Sequence, residues 1–237
     1  MLRGPAGAGP GSSRGGHAGV VAVTFWEYVS DQQDRLRGLM VEHAQIVLTS
    51  VAIAVVLGVG LGLLTYRTDR PRHAVLAITG VFLTIPSLAL FGLMIPPLGL
   101  GTKPAVVALV MYALLPIVRN TITGLRGVDP AIVESAQGMG MGRGRRLLRI
   151  ELPLAWPIIV AGIRVSTQIL VGIAAIAAVI NGPGLGKDIF RALARVGTPT
   201  ALNQALAAVL GIVILGLLLD VAYLVIGRLT TSRGLRD

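Results

Sequence analysis

The 237 residues are 54% hydrophobic and only 14% charged, with four Phe, two Trp, four Tyr and no cysteine, and the mean hydropathy is +0.78. A soluble domain carries about 25% charged residues, so this is a membrane chain without room for a large soluble domain. The missing cysteines exclude disulfides, thiolate metal sites and thiol catalysis. Lys and Arg number 21 against 11 Asp and Glu, an excess that in a membrane chain reports orientation by its position and does not call for nucleic acid.

Residues 1–23 are rich in Gly, Pro, Ser and Arg and have little to bury, which predicts a disordered tail. The tail is either functional or an extended start of the reading frame. The apolar run Val20 to Val23 is too short for a secretory signal, and no small-residue cleavage site follows it. Residues 24–43 mix Trp26, Tyr28, Leu36, Leu39 and Met40 with Glu27, Asp31, Asp34, Arg35 and Arg37, a pattern that predicts an amphipathic segment lying at the interface.

A transmembrane domain is expected over 44–228. Its first span is the 23 uncharged residues from Ala44 to Tyr66, enough to cross a core of about 30 Å. The second falls in the 29 uncharged residues Ala74 to Thr102, interrupted by Pro86. Only 15 uncharged residues separate Lys103 from Arg119, so the third continues to about Leu125 with Arg119 snorkelling. A polar, basic loop over 126–152 follows. The fourth span begins at Pro153, suited to a first helical turn where its missing N–H is unpaired anyway, and ends at Ile180 before Asn181, Gly182 and Pro183. Lys187 to Val196 is a short amphipathic piece, Pro199 to Gly227 is the fifth span, and 229–237 is a basic tail. The expected fold is all-α, a polytopic bundle of about five membrane helices.

Twelve arginines fall on the side of the 126–152 loop and the C-terminus, against Lys103, Lys187, Arg191 and Arg195 on the other. The positive-inside rule makes the loop and C-terminus cytoplasmic and the N-terminus external. Glycine patterns that suggest nucleotide fail on spacing: Gly186-Lys187 is followed by Asp188 where a phosphate loop needs Ser or Thr, and Gly138, Gly140, Gly142 and Gly144 follow no strand. Gly58 and Gly62 read as a close helix-packing face. His17, His43 and His73 are scattered, no intramembrane acids pair with each other, and no catalytic, cofactor or metal constellation is expected.

The loop carries the strongest pattern. Asp129-Pro130 can open a short helix with Glu134 in its early turns, Gly140 permits a sharp bend, and a second, arginine-rich helix leads to Pro153. The geometry is a helix-turn-helix across the membrane surface; a basic helix resting on anionic lipid is the plain alternative. Glu134, Ser135, Ala136, Gly140, Ile150, Leu152 and Pro153 resemble the E-A-A-x3-G-x9-I-x-L-P loop of MetI-like permease subunits of bacterial ATP-binding-cassette (ABC) importers. Ser135 replaces the usual second-position Ala, small for small. Over about residues 40–230, further looser motifs, among them Gly162-Ile163-Arg164-Val165 and Gly184-Leu185-Gly186, are similar to the osmoprotectant branch that carries glycine betaine, carnitine, choline or proline.

The resemblance implies a non-catalytic subunit of the cell membrane without a cofactor of its own. Its partners would be a cytoplasmic ABC ATPase docked on the loop, a second permease copy or paralogue, an extracytoplasmic binding protein and membrane lipid, with no nucleic acid. Quaternary ammonium groups are generally held by aromatic cages; ten aromatics spread along the chain place the main selection in the binding protein. A secondary transporter or channel is the alternative, although matching halves, coupling acids and a filter sequence are lacking. Arg164 and Asp220, placed without reference to the family, lie at similar depths in spans four and five. Either they pair in the interior, or Arg164 snorkels and Asp220 caps a neighbouring helix.

Overall fold

The computed structural model describes residues 24–230, and the expectations for 1–23 and for the tail beyond 230 lie outside the described residues. Helix α1 (Phe25–Asp31) opens on a reciprocal cap, Thr24 N–H donating to Glu27 Oε2 at 2.9 Å while Thr24 Oγ1 accepts from Glu27 N–H. The Thr24 backbone N–H, and after it the Thr24 hydroxyl, hold the Glu27 carboxyl below its ordinary range. After Gln32 the chain continues as α2 (Gln33–Thr65), 33 residues without a break, about 50 Å at ~1.5 Å per residue.

The segment expected over 24–43 comprises α1 and the first turns of α2, and residues 33–43 run on without a break into the first apolar span. Their polar groups find partners within the protein, which a local reading takes for headgroup contacts. Arg35 bonds Asp188 at 2.8 Å, Glu42 bonds Lys187 at 2.9 Å, and His43 Nε2 lies 3.0 Å from the Val171 carbonyl.

The second apolar stretch is two helices, α3 (Asp69–Thr84) and α4 (Ser87–Leu98), bent by 101°. Pro86 has no N–H and drives Ile85 out of helical geometry, to φ −70° and ψ 129°. The freed Ile85 carbonyl accepts from the Tyr112 hydroxyl at 2.6 Å, so the break is bonded inside the protein, as membrane depth requires. The pair joins opposite ends of α5 (Thr102–Arg126): Asp69 meets Arg126 at 3.4 Å, and Gly101, next to Thr102, donates to the Ile180 carbonyl at 2.7 Å. Together the two helices are long and apolar enough for one crossing. Four further helices are long and apolar enough to span.

Helix α5 is the axis of the bundle, burying Ala108, Leu109, Ala113, Ile117 and Thr121. Small residues on its neighbours permit the approach. A Cβ on Gly58 or Gly62 of α2 would strike Ile117 or Thr121, and one on Gly162 would meet the Pro116 carbonyl and Asn120. Beyond α5 come α6 (Pro130–Gly138) and α7 (Arg143–Arg146), then a π turn (Leu147–Glu151), α8 (Leu152–Ile176) and a 3-10 turn (Ala177–Ile180). The fourth span's α-helix has Pro153 in its first turn, as expected, and the π turn and α7 continue it backward to Arg143 without a break. The π turn, closed by Leu152 N–H on the Leu147 carbonyl, precedes Pro153, which has no N–H to donate. Helices α9 (Gly186–Leu193) and α10 (Ala201–Thr230) complete the chain.

Candidate functional site: an elbow and two buried ion-pair clusters

Asp129 caps α6 by accepting from Ala131 N–H at 2.8 Å, with Pro130 in the first turn. Ser135 donates to the Ala131 carbonyl at 2.7 Å, and Ala136 is buried. Glu134 and Ile132 are exposed on this nine-residue helix, and Met139 is exposed at its C-cap. The helix ends where Met141 N–H reaches the Ala136 carbonyl at 3.1 Å and Gly140 takes φ +77°, a left-handed stop that favours glycine. The chain then turns into the arginine-bearing α7. Ile150 and Leu152 are half-buried where this arm enters the bundle, and Pro153 is exposed. Glu134 and Gly140 thus lie on the outward arm and its corner, and Ile150, Leu152 and Pro153 on the return arm.

At the root of the return arm is a cluster that the sequence reading passed over. Glu151, 3% exposed, accepts from Arg146 at 2.8 Å, from Arg67 at 3.1 Å and from the Tyr66 hydroxyl at 2.7 Å. Arg146 is itself 7% exposed. Two residues at the end of α2 are therefore bonded to the acid that ends the π turn, joining the elbow to the first span. The only local signal was one acid in a run of arginines directly before Leu152-Pro153.

Deeper in the bundle Arg164 and Asp220 meet in a two-pronged pair, Nε to Oδ1 at 2.6 Å and Nη2 to Oδ2 at 2.7 Å. Gln168 donates to the Gly216 carbonyl at 3.1 Å and to Asp220 at 3.4 Å. At the opposite end of the bundle the fully buried Asp188 accepts from Arg35, Arg191 and Gln204, tying α2, α9 and α10 together. Among the described residues no three His, Asp or Glu side chains converge as a metal would need.

A polytopic helical bundle with an exposed two-armed elbow between its spans defines a membrane transport subunit. Its fold matches a MetNI methionine ABC transporter solved in inward-facing conformations, with a TM-score of 0.76 at 24% identity over 85% of this chain and 99% of that one. Residues 54–232 match the binding-protein-dependent transport system inner membrane component, and the chain belongs to that family. It is similar to the glycine betaine/carnitine/choline transport system permease protein OpuCB of Bacillus subtilis, 39% identical over 82% of this chain and 88% of that one. It is also similar to the osmoprotectant import permease protein OsmW of Salmonella typhimurium, 37% identical over 88% and 98%. The chain is the multi-pass permease subunit of an ABC importer of the bacterial inner membrane.

Proposed function

We propose that this permease moves a small quaternary-amine or related osmoprotectant, of the glycine betaine, choline, carnitine or proline class, into the cell. Two relatives of nearly full length carry such solutes or osmoprotection in their names, and that observation carries the substrate class. ATP is hydrolysed by a separate cytoplasmic ABC ATPase, which docks on the elbow through Glu134 and the neighbouring exposed Ile132 and Met139. Solute arrives from an extracytoplasmic binding protein, and a second copy or a paralogue completes the path. The elbow supports the docking role because its helix projects side chains outward while the Glu151 cluster joins its root to the bundle. With Arg126, Arg143, Arg145 and Arg149 around it, the elbow lies in the cytoplasm, the N-terminus outside and the C-terminus inside.

The test is uptake of labelled glycine betaine, choline, carnitine and proline by proteoliposomes holding the permease with its ATPase and binding protein. ATP-dependent accumulation of at least one is expected. Uptake of none, with the complex assembled and hydrolysing ATP, refutes the substrate class. Unchanged ATPase retention by a Glu134→Ala and Gly140→Val double variant refutes the docking role.

A further inference from the structure

Between α8 and α10 lies a crevice of about 770 Å³, within the size range of small-molecule sites. Its walls are mainly apolar, with Val160, Val165 and Leu224 among them, and its polar lining is Arg164, Gln168, Tyr223 and, near the helix end, Arg228. Arg164 is 11 residues past Pro153, about 16 Å along the helix, and Asp220 is eight residues before Arg228, about 12 Å. Both are well inside the spans. Yet their side chains are 38% and 28% exposed. Lipid cannot solvate such charges, and intramembrane ions turn to a partner, a water-filled cavity or the interior of an assembly. Arg164 does both at once: it is closed on Asp220 and it lines an open crevice.

We infer that this crevice is a transit site for a charge-separated solute, a carboxylate at one end and a quaternary ammonium at the other. The inference rests on the substrate class proposed above. Arg164 commits Nε and Nη2 to Asp220 and leaves Nη1 out of that pair, so the guanidinium can take a carboxylate from the crevice while still facing Asp220. A cation at the other end meets the ring of Tyr223, an aromatic that lines the crevice, within the field of the Asp220 carboxylate that Arg164 holds. Thr167 donates to the Ile163 carbonyl, so the Tyr223 hydroxyl donates to Thr167 Oγ1 at 2.9 Å and is anchored in the wall. Without solute the ion pair neutralises itself. A zwitterion adds no net charge to the crevice, and its carboxylate gives the Arg164 guanidinium a second opposite neighbour. A cation that lacks a carboxylate engages only the Tyr223 side.

The experiment uses the permease–ATPase complex in detergent without binding protein and reads saturation transfer to the N-methyl protons of glycine betaine or choline. Wild type gives transfer to both. Arg164→Gln weakens glycine betaine about tenfold, the loss of one charge-assisted contact, and leaves choline within about twofold; Asp220→Asn weakens both. Arg164→Lys keeps the charge and retains glycine betaine. Should the neutral variants fail to assemble, Leu224→Trp fills the crevice away from the pair and abolishes transfer to both. No transfer in wild type, equal loss of both solutes in an assembled Arg164→Gln complex, or unchanged transfer in Leu224→Trp overturns the site. Uptake by the complete wild-type system separates the two ideas: no uptake refutes the substrate class, whereas uptake without the glycine betaine–choline split refutes the crevice alone.

Discussion

Glu151 offers the sharpest test of how the elbow is joined to the bundle. Replacing it by Ala removes the acceptor of three donors, and they do not lose equally. The Arg67 side chain is 37% exposed and can swing to water, so its contact is worth little. Arg146 has a side chain only 8% exposed, bonded through Nε at 2.8 Å, and is left as a buried charge without its partner, which costs about 3–5 kcal/mol. Glu151→Gln retains an acceptor of the same shape and loses only the charge, so about 1.5–3 kcal/mol is expected. Replacing both Arg146 and Glu151 by Met removes the charge problem and leaves the Tyr66 hydroxyl as the residual loss, about 1–3 kcal/mol. Equilibrium unfolding in mixed micelles over the four-member cycle measures the coupling. An Ala variant that loses less than about 1 kcal/mol, or a double variant that equals the sum of its singles, refutes the buried-pair reasoning.

What was legible in the sequence is what local pattern can encode. Uncharged runs such as Ala44 to Tyr66 mark membrane helices because the bilayer sets one length. The elbow is a contiguous code: Asp129-Pro130 caps, Gly140 turns left-handed at φ +77°, and no distant residue is needed to read it. Arg164 and Asp220 stood out because charge inside an apolar run is rare at any depth. What escaped the reading is held by partners far along the chain. Arg35 read only as one charge of an amphipathic segment, and its carboxylate partner is 153 residues away; Glu151 fell in a polar loop with no role assigned, and Tyr66 is 85 residues distant. The angle at Pro86 was also hidden, since proline predicts a break but the Tyr112 hydroxyl on the Ile85 carbonyl helps to fix the direction.

Gly140→Val forces a β-branched residue into φ +77°, at a cost of about 1–2 kcal/mol, although a Cβ there meets no atom within 4 Å. The chain should still insert while transport falls, and normal uptake in this variant and in Glu134→Ala would count against the coupling role. Gly186→Ala places a methyl into the Ala175 carbonyl, so yield of folded protein by size exclusion should drop well below that of Gly138→Ala, where the space is open; equal yields would contradict the packing. Topology follows from which ends meet. Gly101 bonds Ile180 at one end of α5, while Arg126 meets Asp69 at 3.4 Å at the other, so the bent α3–α4 pair is expected to carry the chain across once, which with the four other spans would place the termini on opposite sides. Reporters at Gly127 and after Asp237 should read cytoplasmic, and those at Gly101 and Thr24 external. An external signal at Gly127 would overturn the arginine-based orientation, and matching signals from the two ends would show that α3–α4 re-enters without crossing.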